Sequence, residues 1–225
     1  MTTFNLDGFT NDGPDRILVL DTETTGLEGG PRDAVVDVGI CEVVLSTGRV
    51  ADLYSSIVGY DITGWSEEMC HSWIFENTDL TVEAVAAAKP FQEVKSEVMG
   101  VIRGKCLTTY NMQFDLDRFL YREPWGIPSG FFLECDDIMF AAADACRLHQ
   151  MDERVESAMG FRYPKLDYAY RHILKDEDPA GIRGKQSHRA LSDARVASHL
   201  MVKMYRDGLY EPMRVDKRRH PAYRS

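Results

Sequence analysis

Ile17-Leu18-Val19-Leu20-Asp21-Thr22-Glu23-Thr24-Thr25-Gly26-Leu27 runs from four apolar residues straight into a polar cluster closed by a glycine. An unbroken apolar run of this length, bounded by polar and turn residues, reads as a short buried strand over Arg16 to Asp21. Side chains alternate across a strand, so Asp21 and Glu23 share a face, about 6.6 Å apart along the backbone. Two carboxylates held together at the end of a buried strand repel each other. A hard divalent cation such as Mg2+ or Mn2+ relieves that repulsion, because it takes oxygen ligands. Taken alone, an Asp-x-Glu pair is more often a solvated strand end than a ligand set.

Two later segments change that balance. Asn111-Met112-Gln113-Phe114-Asp115-Leu116-Asp117-Arg118-Phe119-Leu120 follows the strand-like Cys106-Leu107-Thr108-Thr109-Tyr110. Its apolar positions Phe114, Leu116, Phe119 and Leu120 predict a helix with Asp115 beside the strand's end. Near the C-terminus, His188-Arg189-Ala190-Leu191-Ser192-Asp193-Ala194-Arg195 opens an amphipathic helix expected to run to about Tyr205. His188 and Asp193 lie too far apart in helical rotation to share a face. His188 is therefore expected in the preceding loop or first turn, with Asp193 inside the helix. The loop before it, Gly181-Ile182-Arg183-Gly184-Lys185, suits a mobile element carrying a titratable group.

In these three segments the chain resembles the DEDDh 3′→5′ exonucleases, whose motifs run Asp-x-Glu-Thr-Thr-Gly-Leu, Asn-x-x-Phe-Asp and His-x-Ala-x-x-Asp-Ala. Here they read Asp21 to Leu27, Asn111 to Asp115 and His188 to Ala194, and the resemblance covers roughly residues 15–208. Pro164-Lys165-Leu166-Asp167 is similar to a Tyr-Lys-Leu-Asp segment that precedes the third motif. One position departs: the residue before Asn111 is often His in the family and is Tyr110 here. The resemblance implies an α/β fold, a ribonuclease-H-like mixed five-stranded sheet flanked by helices. It also implies two Mg2+ ions, with Mn2+ able to substitute, held by Asp21, Glu23, Asp115 and Asp193. Asp21 would bridge both ions, Glu23 and Asp193 would hold the ion carrying the water, and Asp115 would serve the second.

The chemistry is coherent on physical grounds. Phosphodiester hydrolysis needs an attacking hydroxide, a stabilised leaving oxygen and neutralised phosphate charge, and two ions about 3.5–4 Å apart supply all three. Four carboxylates nearly balance two divalent ions. His188 titrates near neutrality and can accept the water proton. The resemblance further implies that Thr24, Gly26, Leu27, Asn111 and His71 bind the substrate. Leu27 could wedge against the terminal bases, where apolar contacts tolerate any sequence, or be a core leucine after a turn. The expected partner is a single-stranded 3′ end, with DNA favoured; the alternatives are RNA 3′-end trimming and a polymerase-associated binding subunit whose nuclease activity is secondary. The layout resembles proofreading subunits of bacterial replicative polymerases and their stand-alone or phage relatives, so a polymerase or replication partner stays open. About 17 residues after the last helical stretch favour a stand-alone enzyme.

Composition sets the remaining bounds. A chain of 225 residues with 44% hydrophobic content predicts one domain with a sizeable core. We read 1–14 as an N-terminal extension, 15–208 as the exonuclease domain and 209–225 as a basic tail. From Arg214 onward five cations oppose Asp216, a net of +4, so the rest carries −14 of the total −10. That acidity argues against tight non-specific duplex binding. Met1 to Asn11 lacks a signal-peptide pattern, no apolar run reaches membrane-spanning length, and the five cysteines form no Cys-x-x-Cys pair. These features predict a cytoplasmic protein with reduced thiols and no membrane partner. The oligomeric state is not legible. Strands are expected at Ala34 to Leu45, Val50 to Val58 and Phe132 to Cys135, and helices at Val82 to Ala88 and Phe91 to Ile102. Gly59 to Thr81 lacks periodicity and resembles the family's stretch bordering the nucleotide pocket; within it Trp73 is expected in the core, with stacking on a base as the alternative.

Overall fold

The computed structural model describes residues 9–10, 13–149, 160–182 and 187–214. The expected basic tail therefore lies, beyond Arg214, outside the described residues. A small ribbon pairs β1 (Phe9–Thr10) with β2 (Gly13–Pro14). The main sheet has five strands: β3 (Arg16–Thr24), β4 (Val35–Val44), β5 (Arg49–Ile57), β6 (Cys106–Thr108) and β7 (Leu133–Glu134). They lie in the order β5-β4-β3-β6-β7. The β3–β4 and β4–β5 pairs are antiparallel, whereas β3–β6 and β6–β7 are parallel. This is the expected mixed ribonuclease-H-like sheet, with β3 at its centre.

Helices cover both faces, so β3 is buried on both sides and reads as a continuous apolar run. Leu18 and Leu20 pack with α4 (Phe91–Ile102) and the helical segment Gln113–Leu120. Ile17 and Val19 face α5 (Ile138–Cys146), α6 (Leu166–Leu174) and α7 (Ala190–Arg206). Each of these four side chains is almost completely buried, a contribution of about 1.5–3 kcal/mol apiece.

The structure differs from the sequence expectation in three places. β3 continues past Asp21 to Thr24, with a register shift between Glu23 and Thr24. The segment Gln113–Leu120 is a π-helix, closed by Tyr121 N–H donating to the Leu116 carbonyl at 2.9 Å. Its wider turn brings Phe114 edge-to-face against Phe119, five residues on, with ring centroids 5.1 Å apart. Gly59 to Thr81 is not irregular throughout: it holds α1 (Glu67–Cys70) and α2 (Trp73–Asn77), followed by α3 (Val82–Ala87). Ser66 caps α1 by accepting from the Met69 N–H at 3.2 Å, local polar chemistry that apolar periodicity does not register. No helix among the described residues is long and apolar enough to cross a membrane.

Candidate active site

The register of β3 against β4 builds one side of the site. On the face toward α7 the cross-strand pairs run Ile17–Val43, Val19–Cys41, Asp21–Gly39 and Glu23–Asp37. The face is apolar where the helices close over it and turns to carboxylates at the C-terminal end of β3. Gly39 lets the helix come close: a Cβ there would sit 2.1 Å from the Leu191 nitrogen and 2.3 Å from the Ala190 carbonyl carbon. With no side chain in the way, the first turn of α7 rests on the sheet and delivers Asp193 next to Glu23. Asp37, fully buried, seats the same turn. Its Oδ2 accepts from Arg189 Nε at 2.8 Å and from the Ala190 N–H at 3.2 Å, and Arg189 Nη1 reaches Asp79 at 3.5 Å.

Asp115 arrives from the opposite side. Thr22, between the two β3 carboxylates and therefore pointing to the other face, donates its hydroxyl to Asp115 Oδ1 at 2.7 Å. The Asn111 side chain accepts from the Phe114 N–H at 3.3 Å and starts the turn that carries Asp115. A cleft of about 170 Å3 is lined by Asp21, Thr22, Glu23, Tyr110, Asn111, Phe114, Asp115, Leu166, His188 and Asp193. Side-chain ligand atoms of Glu23, His188 and Asp193 lie within 4.8 Å of one another.

The electrostatics follow from crowding acids into a buried space. Burial, then repulsion from Asp115, Asp193, Glu23 and Asp37, raises the Asp21 carboxyl well above its usual range. Burial and then Asp193, Asp37 and Asp115 push Glu23 up to about 8, against the pull of Arg189. Burial lifts Asp115 to about 6, while hydrogen bonds from Thr22 and Thr109 hold it down. Burial lowers His188 despite the attraction of Asp167, so the imidazole is neutral and able to accept a proton near pH 7. Four crowded carboxylates, repelling one another until cations intervene, with a neutral imidazole nitrogen beside them, fit a divalent-metal site.

The expected loop position of His188 is observed, in a left-handed backbone conformation with φ 50°. A non-glycine residue there is strained, and such strain concentrates at functional sites. The expected core position of Trp73 is not: it is 56% exposed, and its ring meets His188 edge-on, centroids 5.0 Å apart at 86°. The short helix α2 buries Ile74 instead, leaving Trp73 on the cleft side. Leu27 is likewise no core leucine, being 71% exposed. His71 does not line the cleft: it is exposed at the end of α1, with Nδ1 3.7 Å from Glu76 Oε1. Thr24 donates its hydroxyl to the Gly26 carbonyl at 2.8 Å and shapes the turn leading to Leu27. Tyr110, where the family often has His, is buried and donates its hydroxyl to the Pro164 carbonyl at 2.8 Å. Thr22, Asp37, Gly39 and Arg189 were missed as site residues. Only the cross-strand register and the approach of α7 give them their places.

Comparison with known proteins bears on family and fold. A family model described as an exonuclease, RNase_T, matches residues 18–201. The 3'-5' exonuclease DinG of Bacillus subtilis is 22% identical over 195 residues, 84% of this chain, which spans only 17% of that relative's length. A solved 3'-exonuclease described for its 3'-end-specific recognition of a histone mRNA stem-loop superposes with a TM-score of 0.58 at 17% identity, over 87% of this chain and 84% of that one. The nuclease domain of 3'hExo, a DEDDh family member bound to rAMP, gives 0.55 at 18% identity, over 90% and 96% of the two chains. The complex of E. coli ExoI with ssDNA gives 0.58 at 15% identity, over 87% and 42%. At these identities the likeness to the solved structures is one of fold.

Proposed function

The chain belongs to the RNase_T exonuclease family, and on that premise we propose that it removes nucleotides from the 3′ end of single-stranded nucleic acid as 5′-monophosphates, with DNA the favoured substrate. The observation that carries this reading is the convergence of Asp21, Glu23, Asp115, Asp193 and His188 on one cleft from three separate stretches of chain. Asp21, Glu23, Asp115 and Asp193 would hold two Mg2+ ions, or Mn2+ in their place. Bound there, such ions acidify an attacking water and neutralise phosphate charge.

The residues divide the remaining work. His188 accepts the proton of the attacking water at its imidazole nitrogen, and burial keeps that nitrogen free for it. Asp37 and Arg189 fix the start of α7, so that His188 and Asp193 keep their places relative to β3. Thr24, Gly26, Leu27 and Asn111 receive the terminal nucleotide, with Leu27 against the last bases and Trp73 on the far side of His188. A strongly acidic body binds duplex phosphates poorly, which suits a substrate gripped at a single frayed end. A 2′-hydroxyl has no assigned partner, and relatives described with an RNA stem-loop and with ssDNA keep RNA trimming as the alternative.

The test is digestion of 5′-labelled single-stranded DNA, blunt duplex and RNA of one sequence, with Mg2+, with Mn2+ and with chelator. We expect a ladder shortening from the 3′ end that needs the cation, and slow attack on a 3′-phosphorylated strand. Efficient cutting of a covalently closed single-stranded circle would show an endonuclease and end this reading.

A further inference from the structure

Leu27 is both exposed and fastened. Its side chain projects into solvent, yet its own carbonyl accepts a 2.6 Å hydrogen bond from Arg118 Nη1, on the π-helix. The preceding carbonyl, of Gly26, accepts from the Thr24 hydroxyl at 2.8 Å. The following N–H, of Glu28, donates to Asp33 Oδ2 at 2.7 Å. Arg118 holds the loop a second time through its main chain, its carbonyl accepting from the Gly30 N–H at 3.0 Å. The close packing of this loop also accounts for two neighbouring glycines. A Cβ on Gly29 would lie 2.4 Å from the Arg118 carbonyl oxygen, and one on Gly30 would lie 2.2 Å from that of Glu123. Fixing a surface loop costs conformational entropy, which a merely solvated leucine gives no reason to spend.

We infer that Arg118 is a positioning residue that fixes Leu27 just beyond the end of β3 and so determines how the 3′-terminal base is seated. Arg118 stands three residues after Asp115 on the same π-helix. One rigid element thus ties the base-contacting leucine to a carboxylate of the reaction centre, and the spacing between terminal base and scissile phosphate is fixed by a single piece of structure. The guanidinium suits the task, since its planar fork is pre-organised for directed hydrogen bonds. The inference rests on the proposed contact of Leu27 with the terminal base.

A double-mutant cycle with an exchange measurement tests it. The enzyme and the variants Leu27→Ala, Arg118→Ala and the double variant are compared by kcat/KM on one single-stranded oligonucleotide with saturating Mg2+. Leu27→Ala keeps the carbonyl that Arg118 holds. Each single variant should lose about 10-fold and the double variant no more than either, the non-additivity expected of groups acting as one unit. Amide exchange at Glu28, next to the released Leu27 carbonyl, should quicken in Arg118→Ala, which keeps the main-chain carbonyl that holds Gly30, while the melting temperature holds. Multiplied losses, about 100-fold in the double variant, would mean that Arg118 acts independently of Leu27, as a phosphate contact would, and overturn the inference. Wild-type activity or unchanged loop exchange in Arg118→Ala, beside an impaired Leu27→Ala, would overturn it while leaving the leucine's contact intact. Wild-type activity in Leu27→Ala would remove that contact, and the inference with it, without touching the assignment of the carboxylates.

Discussion

Replacing Gly39 by Ala adds one methyl group to a β-strand and should disable an enzyme whose five candidate reactive side chains are all unchanged. The added carbon would meet the Leu191 nitrogen at 2.1 Å, whereas ordinary contact begins near 3.5 Å. The first turn of α7 must therefore retreat by about 1.4 Å, or β4 must sink by as much into a packed core. Asp193 lies two residues beyond Leu191 and shares a cluster with Glu23 and His188 whose ligand atoms are within 4.8 Å. A 1 Å misplacement of a reacting group costs about 10²-fold, so kcat on a single-stranded oligonucleotide should fall by at least that much. Overpacking a core costs about 1–3 kcal/mol, which for a chain of this size lowers Tm by about 2–12 °C. The variant should thus stay folded at 25 °C, with a native circular dichroism spectrum. Gly100→Ala is the control: a Cβ there, near the end of α4, meets nothing within 4 Å. It should raise stability by about 0.4–1 kcal/mol and leave the rate alone. A Gly39→Ala enzyme with wild-type kcat and unchanged Tm would refute the close seating of α7 and the account of Asp193 built on it.

Further outcomes follow from the same geometry. Asp21→Ala should abolish hydrolysis at saturating Mg2+ yet raise the Tm of the chelated protein, because a source of repulsion leaves with the ligand; near-wild-type turnover would sink the metal assignment. His188→Ala should lose about 10²–10⁴-fold in kcat. Burial lowers the His188 pKa, so the wild-type rate should rise with pH below about 6.5 as the imidazole becomes neutral; a variant keeping that limb would take His188 out of the chemistry. The apo protein should lose stability as pH rises. Glu23, raised to about 8, and Asp115, raised to about 6, hold protons in the fold that the unfolded chain releases near pH 4. Melts in chelator should therefore fall between pH 5 and 8.5, less steeply in Glu23→Gln, and millimolar Mg2+ should flatten the slope; a flat apo profile would contradict the crowding of these carboxylates.

The apolar run into Asp21, the hairpin of β4 and β5, and the amphipathic faces of α4 and α7 were legible because period and turn chemistry are local signals. The five reactive candidates were legible through motif order, and the structure gathers them in one cleft. Asp37 was not, because its role depends on facing Glu23 across a strand pair and on α7 descending over Gly39, neither visible along the chain. The π-helix escaped because residues 114, 116, 119 and 120 satisfy a 3.6-residue pattern nearly as well. Trp73 was misassigned because an aromatic residue in an aperiodic stretch defaults to the interior. Its exposure follows from a helix of five residues that buries Ile74, too short to hide both side chains.

The cleft draws its carboxylates from β3, from the π-helix about 90 residues later and from α7 about 80 residues beyond that, which bears on how such a protein is made. While the chain is being synthesised, β3 and its neighbours emerge long before Asp193. A nascent chain whose π-helix has emerged would therefore carry three of the four proposed ligand carboxylates, with neither His188 nor Asp193 in place. Because α7 also covers the sheet face of Ile17 and Val19, the step that completes the cluster is the one that closes the core. On the proposed roles of His188 and Asp193, cleavage competence and the finished fold would appear together, and a translation product lacking α7 would be left without the means to cut.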